Sequence, residues 1–154
     1  MADVLGLTHL KVGQRVKIKG NPGANGDFRA LEVNVKPGDE PAVMEGKIQA
    51  LNPENRTIRL MNRDIPLGDH VEIKNIHRQP IDFSELQVGD LIKLKGDYSE
   101  TEGFIPKKAK LQIFKGFDIE ELQGYIQRID PETGTLDVLG FQVVVDADAE
   151  IEGF

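Results

Sequence analysis

This sequence predicts an all-β fold built from a tandem hairpin/meander repeat with only short helical turns. Three observations predict it: apolar residues recur with a period of two, one half of the chain restates the other, and turn chemistry separates the segments. Val16 and Ile18 alternate with Arg15, Lys17 and Lys19, and Ile92 and Leu94 with Lys93 and Lys95. Leu31, Val33 and Val35 alternate with Glu32 and Asn34. Successive strand side chains point to opposite faces, so each segment is a half-buried strand with one face in water. No segment sustains a 3.6-residue period.

The repeat fixes the organisation. Residues 44–73 align without a gap with 122–151, an offset of 122 − 44 = 78. Gly46 meets Gly124, Ile48 meets Ile126, Pro53 meets Pro131 and Thr57 meets Thr135. A second pair, LKVGQRVKIKG (10–20) and LQVGDLIKLKG (86–96), aligns at an offset of 86 − 10 = 76, so that Phe28 meets Phe104. Long stretches that keep apolar with apolar are a signature of duplication. In DPETGT, Pro131 presets the second position of a turn and Gly134 supplies a positive φ. The counterpart NPENRT places the left-handed residue at Asn55. IDFSEL (81–86) and FDIEEL (117–122) each allow one helical turn. The order is therefore hairpin (about 8–36), meander (about 44–75), hairpin (about 86–115), meander (about 122–153).

From residue 44, three strands, a helical turn at IDFSEL and two further strands follow the order of an oligonucleotide/oligosaccharide-binding (OB) barrel. This predicts two OB-like small β-barrels: a central one over 44–115, and a second closed from both ends of the chain by 8–36 with 122–153. Sequential barrels over 8–75 and 84–153 are the alternative, favoured by short connections. The expected core is Val16, Ile18, Phe28, Ile48, Ile58, Leu60, Ile92, Leu94, Phe104, Ile126, Leu136, Val138 and Val143.

MEGKIQALNPENRTIRLMNRDIPLGDHVEI followed by FSELQVGDLIKLKG resembles a bacterial domain family of unknown function, whose pattern L-x-V-G-D-x-V-x-V-x-G recurs in tandem. LQVGDLIKLKG and LKVGQRVKIKG both fit, with Gln14 standing where the pattern has the Asp found at Asp90. The resemblance implies OB-like barrels and an envelope or secreted location. It implies no activity.

Composition narrows the function classes. The 154 residues are 39% hydrophobic and 29% charged, enough for a packed core. A net charge of −7 and 6% aromatic content with no Trp argue against a general nucleic-acid binder. With no Cys there are no disulfides, thiolate metal sites or cysteine nucleophiles. His9, His70 and His77 lack ligand spacing. Asp146, Asp148 and Glu150 share one face of an extended segment and read as a solvated acidic edge rather than a calcium loop. Ser84 and Ser99 lie in no nucleophile elbow, and no phosphate-binding glycine loop occurs. The expectation is a protein without catalytic residues, metal or cofactor. No apolar run approaches a membrane span. The compartment stays open: periplasmic or secreted if a leader was removed, otherwise cytoplasmic.

Candidate ligand-binding residues come from mapping the OB surface, where ligands lie over the second and third strands and the neighbouring loops. They are Arg59, Arg63 and Tyr98, with Lys107 and Lys108 on a lysine-rich strand beside Lys93, Lys95 and Lys110. The functional expectation is a non-catalytic binding or scaffolding module that engages an envelope protein or a polysaccharide. A cytoplasmic OB-type nucleic-acid-binding protein is the alternative.

Overall fold

The alternating segments form strands, and the turn signals separate them. In the computed structural model, which describes residues 10–23, 26–36, 41–113 and 120–152 with the side chains of 146–148 excepted, the chain is all-β. The first strands are β1 (Arg15–Pro22), β2 (Phe28–Val35), β3 (Ala42–Lys47), β4 (Ala50–Asn52), β5 (Thr57–Leu60), β6 (Arg63–Pro66), β7 (Glu72–Lys74) and β8 (Pro80–Ile81). After a 3-10 turn at Phe83–Glu85 come β9 (Leu91–Ser99), β10 (Gly103–Gln112), β11 (Glu120–Asp130), β12 (Thr135–Val138) and β13 (Phe141–Glu152). IDFSEL thus carries its helical turn, with the Glu85 carboxylate accepting the Asp82 N–H at 2.8 Å. In FDIEEL, Glu120–Leu122 belong to β11 instead, because Leu122 is fully buried opposite Ile18; residues 117–119 lie outside the described residues.

Five strands close on themselves. The order β1-β2-β13-β12-β11 runs along one sheet, and β1 also pairs antiparallel with β11, Ile18 opposite Leu122. The closing strands come from the two ends of the described chain, and β13 runs parallel to β2. The remaining strands continue from this barrel. β3 pairs with β11 and with β9, β9 with β10, and β10 runs parallel to β7. β4, β5 and β6 form a separate three-stranded sheet, with β6 lying against β10.

Several positions 78 apart share a local backbone conformation. Met61 and Leu139 have φ 53° and 54°, and Asn62 and Gly140 have 63° and 76°. Ile48 N–H donates to Asp90 O at 2.9 Å, and Ile126 N–H to Gln14 O at 2.8 Å. The β3–β11 pairing centres on Met44 opposite Leu122, flanked by Val43 opposite Gln123 and Glu45 opposite Glu121.

Two local expectations need correction. In NPENRT the left-handed residue is Arg56, φ 51°, not Asn55; it occupies the place of Gly134, φ 70°. Arg56 offsets that strain through its own side chain, which donates to Gly68 O at 2.6 Å and Val71 O at 3.3 Å. Leu31 does not share a face with Val33. It is a bulge residue, because Lys19 pairs with Glu32 while Gly20 pairs with Ala30. Lys107 is the matching bulge in β10, between Gly96 opposite Pro106 and Lys95 opposite Lys108. Both bulges face a glycine for a steric reason. A Cβ on Gly20 would stand 1.9 Å from Arg29 O, and one on Gly96 would stand 2.0 Å from Ile105 O.

The expected core residues are buried with one exception: Phe104 is partly exposed and packs at the margin of the cluster. Phe28 is fully buried and meets Phe141 edge-to-face, ring centroids 6.2 Å apart. Phe28→Ala should therefore cost about 3–5 kcal/mol in urea unfolding, and Phe104→Ala distinctly less. Gly96→Ala should cost more than about 2 kcal/mol, because the obstructing atoms are backbone and cannot swing aside.

Candidate functional site

The structure separates the five residues that the sequence proposed for ligand binding. Arg59 on β5 faces Asp64 on β6 and is paired with it, Nη1 to Oδ1 at 3.0 Å. Lys107 points outward from its bulge. Lys108 joins other lysines on a different face. Only Arg63 and Tyr98 come together.

Arg63 leaves β6 towards β13. Its Nη2 donates to Gly140 O at 2.8 Å, and its guanidinium carbon lies 3.6 Å above the centre of the Phe141 ring. Burial lowers its pKa from the ordinary value, with Tyr98 pushing the other way; the group stays protonated in any case. Gly140, φ 76°, lies against both side chains: a Cβ there would stand 3.2 Å from Tyr98 Oη and 3.2 Å from Arg63 Nη1. Beside it, Asn62 Nδ2 donates to Gly23 O at 2.9 Å. Arg63 therefore ties the 61–63 turn to the closed barrel through Nη2 and the stacked face of its guanidinium. Tyr98 borders three shallow clefts between the β9–β10 hairpin and the 137–142 turn.

The charged groove lies elsewhere. On β9, Lys93 and Lys95 alternate with buried Ile92 and Leu94; on β10, Lys108 and Lys110 flank buried Ala109; on β7, Glu72 and Lys74 flank buried Ile73. The register sets Lys108 opposite Lys95 and Lys110 opposite Lys93, and the parallel pairing sets Lys110 beside Lys74. With Arg78 and Gln112 these side chains line an open groove of about 500 Å³. Its lining holds five lysines and one arginine against the single carboxylate of Glu72, whose partner is Lys74 at 3.8 Å.

This charge is not imposed by the fold. In the closed barrel the aligned positions are Lys17, Lys19, Glu32, Asn34, Glu150 and Glu152. There Lys19 faces Glu32, Lys17 faces Asn34, and Glu150 lies beside Glu32. Lys17 also reaches Glu121 at 3.5 Å. Like charges directly across a strand pair destabilise a sheet; the lysine face holds two such antiparallel pairs, Lys108 with Lys95 and Lys110 with Lys93, where the counterpart β1–β2 pairing has none at the aligned positions.

Sequence reasoning found Lys93, Lys95, Lys108 and Lys110 as outer-face residues but not Lys74 or Arg78. Their place beside β10 depends on a parallel pairing between segments more than thirty residues apart, which no local pattern announces.

Among the described residues, no group of three or more His, Cys, Asp or Glu is arranged to hold a metal ion. His70 and His77 are exposed, while His9 and the side chains of Asp146 and Asp148 lie outside the described residues. No helix among them is long and apolar enough to cross a membrane.

A family model for a domain of unknown function (DUF5666) matches residues 1–34, a stretch that includes β1 and most of β2. No curated protein and no solved structure matches the chain.

The two arginines should respond differently to truncation. Arg63→Ala should lose about 1–2 kcal/mol of unfolding free energy, and Arg63→Lys should recover little of it, since an ammonium cannot stack and donate as a fork does. Arg59→Ala should change stability by less than about 1 kcal/mol, as expected of an exposed pair. Urea titrations of the three variants measure both.

Proposed function

We propose that the chain is a non-catalytic binding module made of two OB-like barrels from a tandem repeat, one over 44–115 and one closed by 8–36 with 122–153. The observation that carries this reading is a parallel contact within each set of strands. β13 runs parallel to β2, and β7 runs parallel to β10, with Glu32 beside Glu150 and Lys108 beside Glu72. In an OB barrel the third and fifth strands meet in this way, and the fold serves as a platform for oligonucleotides and oligosaccharides. The equal φ angles at positions 78 apart and the matched bulges at Leu31 and Lys107 support the duplication.

Binding rather than turnover is favoured by how the polar groups are used. Arg15 is buried and donates to Pro41 O at 3.0 Å and Gln123 Oε1 at 2.8 Å, and Gln123 in turn donates to Glu121 at 2.9 Å. Arg56 and Arg63 hold backbone carbonyls. These groups are committed to holding the fold, whereas the groove lysines stand on an outer face.

Two experiments test the reading. A panel of ester, phosphoester and glycoside substrates should show no turnover by the purified chain; turnover lost on substituting a carboxylate would overturn it. A fragment spanning 41–115, which keeps all of β3, should give dispersed amide NMR peaks, while 1–80 should not fold. A folded 1–80 would replace the assignment with sequential barrels.

A further inference from the structure

We propose that the groove across the outer faces of β9, β10 and β7 binds an acidic polysaccharide, a polymer whose carboxylates or sulfates are spaced along a hydroxyl-rich chain. The proposal deepens the binding-module reading and rests on it. Lys74, Arg78, Lys93, Lys95, Lys108 and Lys110 converge on one groove of a chain whose net charge is −7. Apart from Glu72, the cations bring no carboxylate into the groove with them, while on the aligned face of the closed barrel Lys19 faces Glu32 and Lys17 faces the neutral Asn34. An anionic ligand removes the mutual repulsion of Lys108 with Lys95 and of Lys110 with Lys93.

The chemistry of the groove selects a sugar polymer over a nucleic acid. The groove lining holds no aromatic residue, so bases have nothing to stack on. Its cations are lysines with a single arginine, point charges that accept anions in varied geometry rather than forks that read one group. Strands lie about 4.8 Å apart, and alternate residues about 6.7 Å along each, so the charges form an open lattice suited to widely spaced anions. Gln112 adds an amide that can both donate to and accept from hydroxyl groups. Beyond the groove, the acidic remainder of the chain repels a polyanion of nucleic-acid charge density.

The test is fluorescence anisotropy of the full chain with labelled oligogalacturonate, its methyl-esterified neutral form and oligo-dT. Oligogalacturonate should bind in a salt-sensitive manner and the neutral form should not. Lys95→Gln/Lys108→Gln/Lys110→Gln should weaken binding by about tenfold or more, whereas Lys19→Gln/Lys36→Gln on the aligned face should leave it unchanged. Because repulsion is relieved, the triple variant should melt no lower than the parent; a lower melting temperature would contradict the premise. Equal affinity of the triple variant, tighter binding of oligo-dT, or no binding at low salt would each overturn the proposal. New reducing ends in the same samples would overturn the non-catalytic reading while leaving ligand capture by the groove in place.

Discussion

Everything in this molecule hangs on β1 having two partners. One edge of β1 pairs with β2 and the other with β11, and this double pairing turns an open row of strands into a closed barrel. Closure fixes which face of each strand is interior. Val16 and Ile18 point in with Leu122 and Ile126, and Lys17 and Lys19 are left outside. It also requires the sheet to bend sharply where β1 meets β2. The bulge at Leu31 supplies that bend and the absence of a side chain on Gly20 permits it.

A second constraint follows at the seam, where β11 pairs with β1 on one side and, through Glu121–Gln123, with β3. The seam sets Glu45 opposite Glu121, a like-charge pair that would weaken it. Lys17 and the Arg15–Gln123–Glu121 chain of hydrogen bonds surround that charge with donors. Positive charge on the outer face of the closed barrel is thereby consumed at the seam. On the β9–β10–β7 face the position aligned with Arg15 is Leu91 and that aligned with Glu121 is Val43; there the β3–β9 pairing sets Glu45 across from Lys93 and Val43 across from Lys95.

Much of the fold was legible in the sequence because it depends on short-range regularities. Period-two alternation marked the strands, the repeated Pro and Gly marked the turns, and the apolar positions of the two meanders marked the core. What escaped depends on partners that are distant in sequence. Asn55 was the better left-handed residue by local propensity, yet Arg56 takes the position because its guanidinium finds carbonyls at Gly68 and Val71. Leu31 looked inward because alternation does not announce a bulge. For the candidate site, a generic OB surface points to Arg63 and Tyr98, but Arg63 stacks on Phe141, whose place beside it follows from the three-dimensional arrangement of the strands.

The parallel contact between β2 and β13 has a consequence for synthesis on the ribosome. β2 ends at Val35 and its partner β13 ends at Glu152, more than a hundred residues later. At about 5–20 residues per second, the first hairpin is outside the exit tunnel for roughly 6–25 seconds before β13 is complete. In that interval Phe28, Ala30 and Val33 lack the strands that cover them. The strands of the middle segment emerge earlier and in one run, and β3 among them is the strand with which β11 later pairs. The early hairpin thus waits with apolar surface uncovered, and the outward-facing Lys17 and Lys19 oppose its pairing with other chains in that interval.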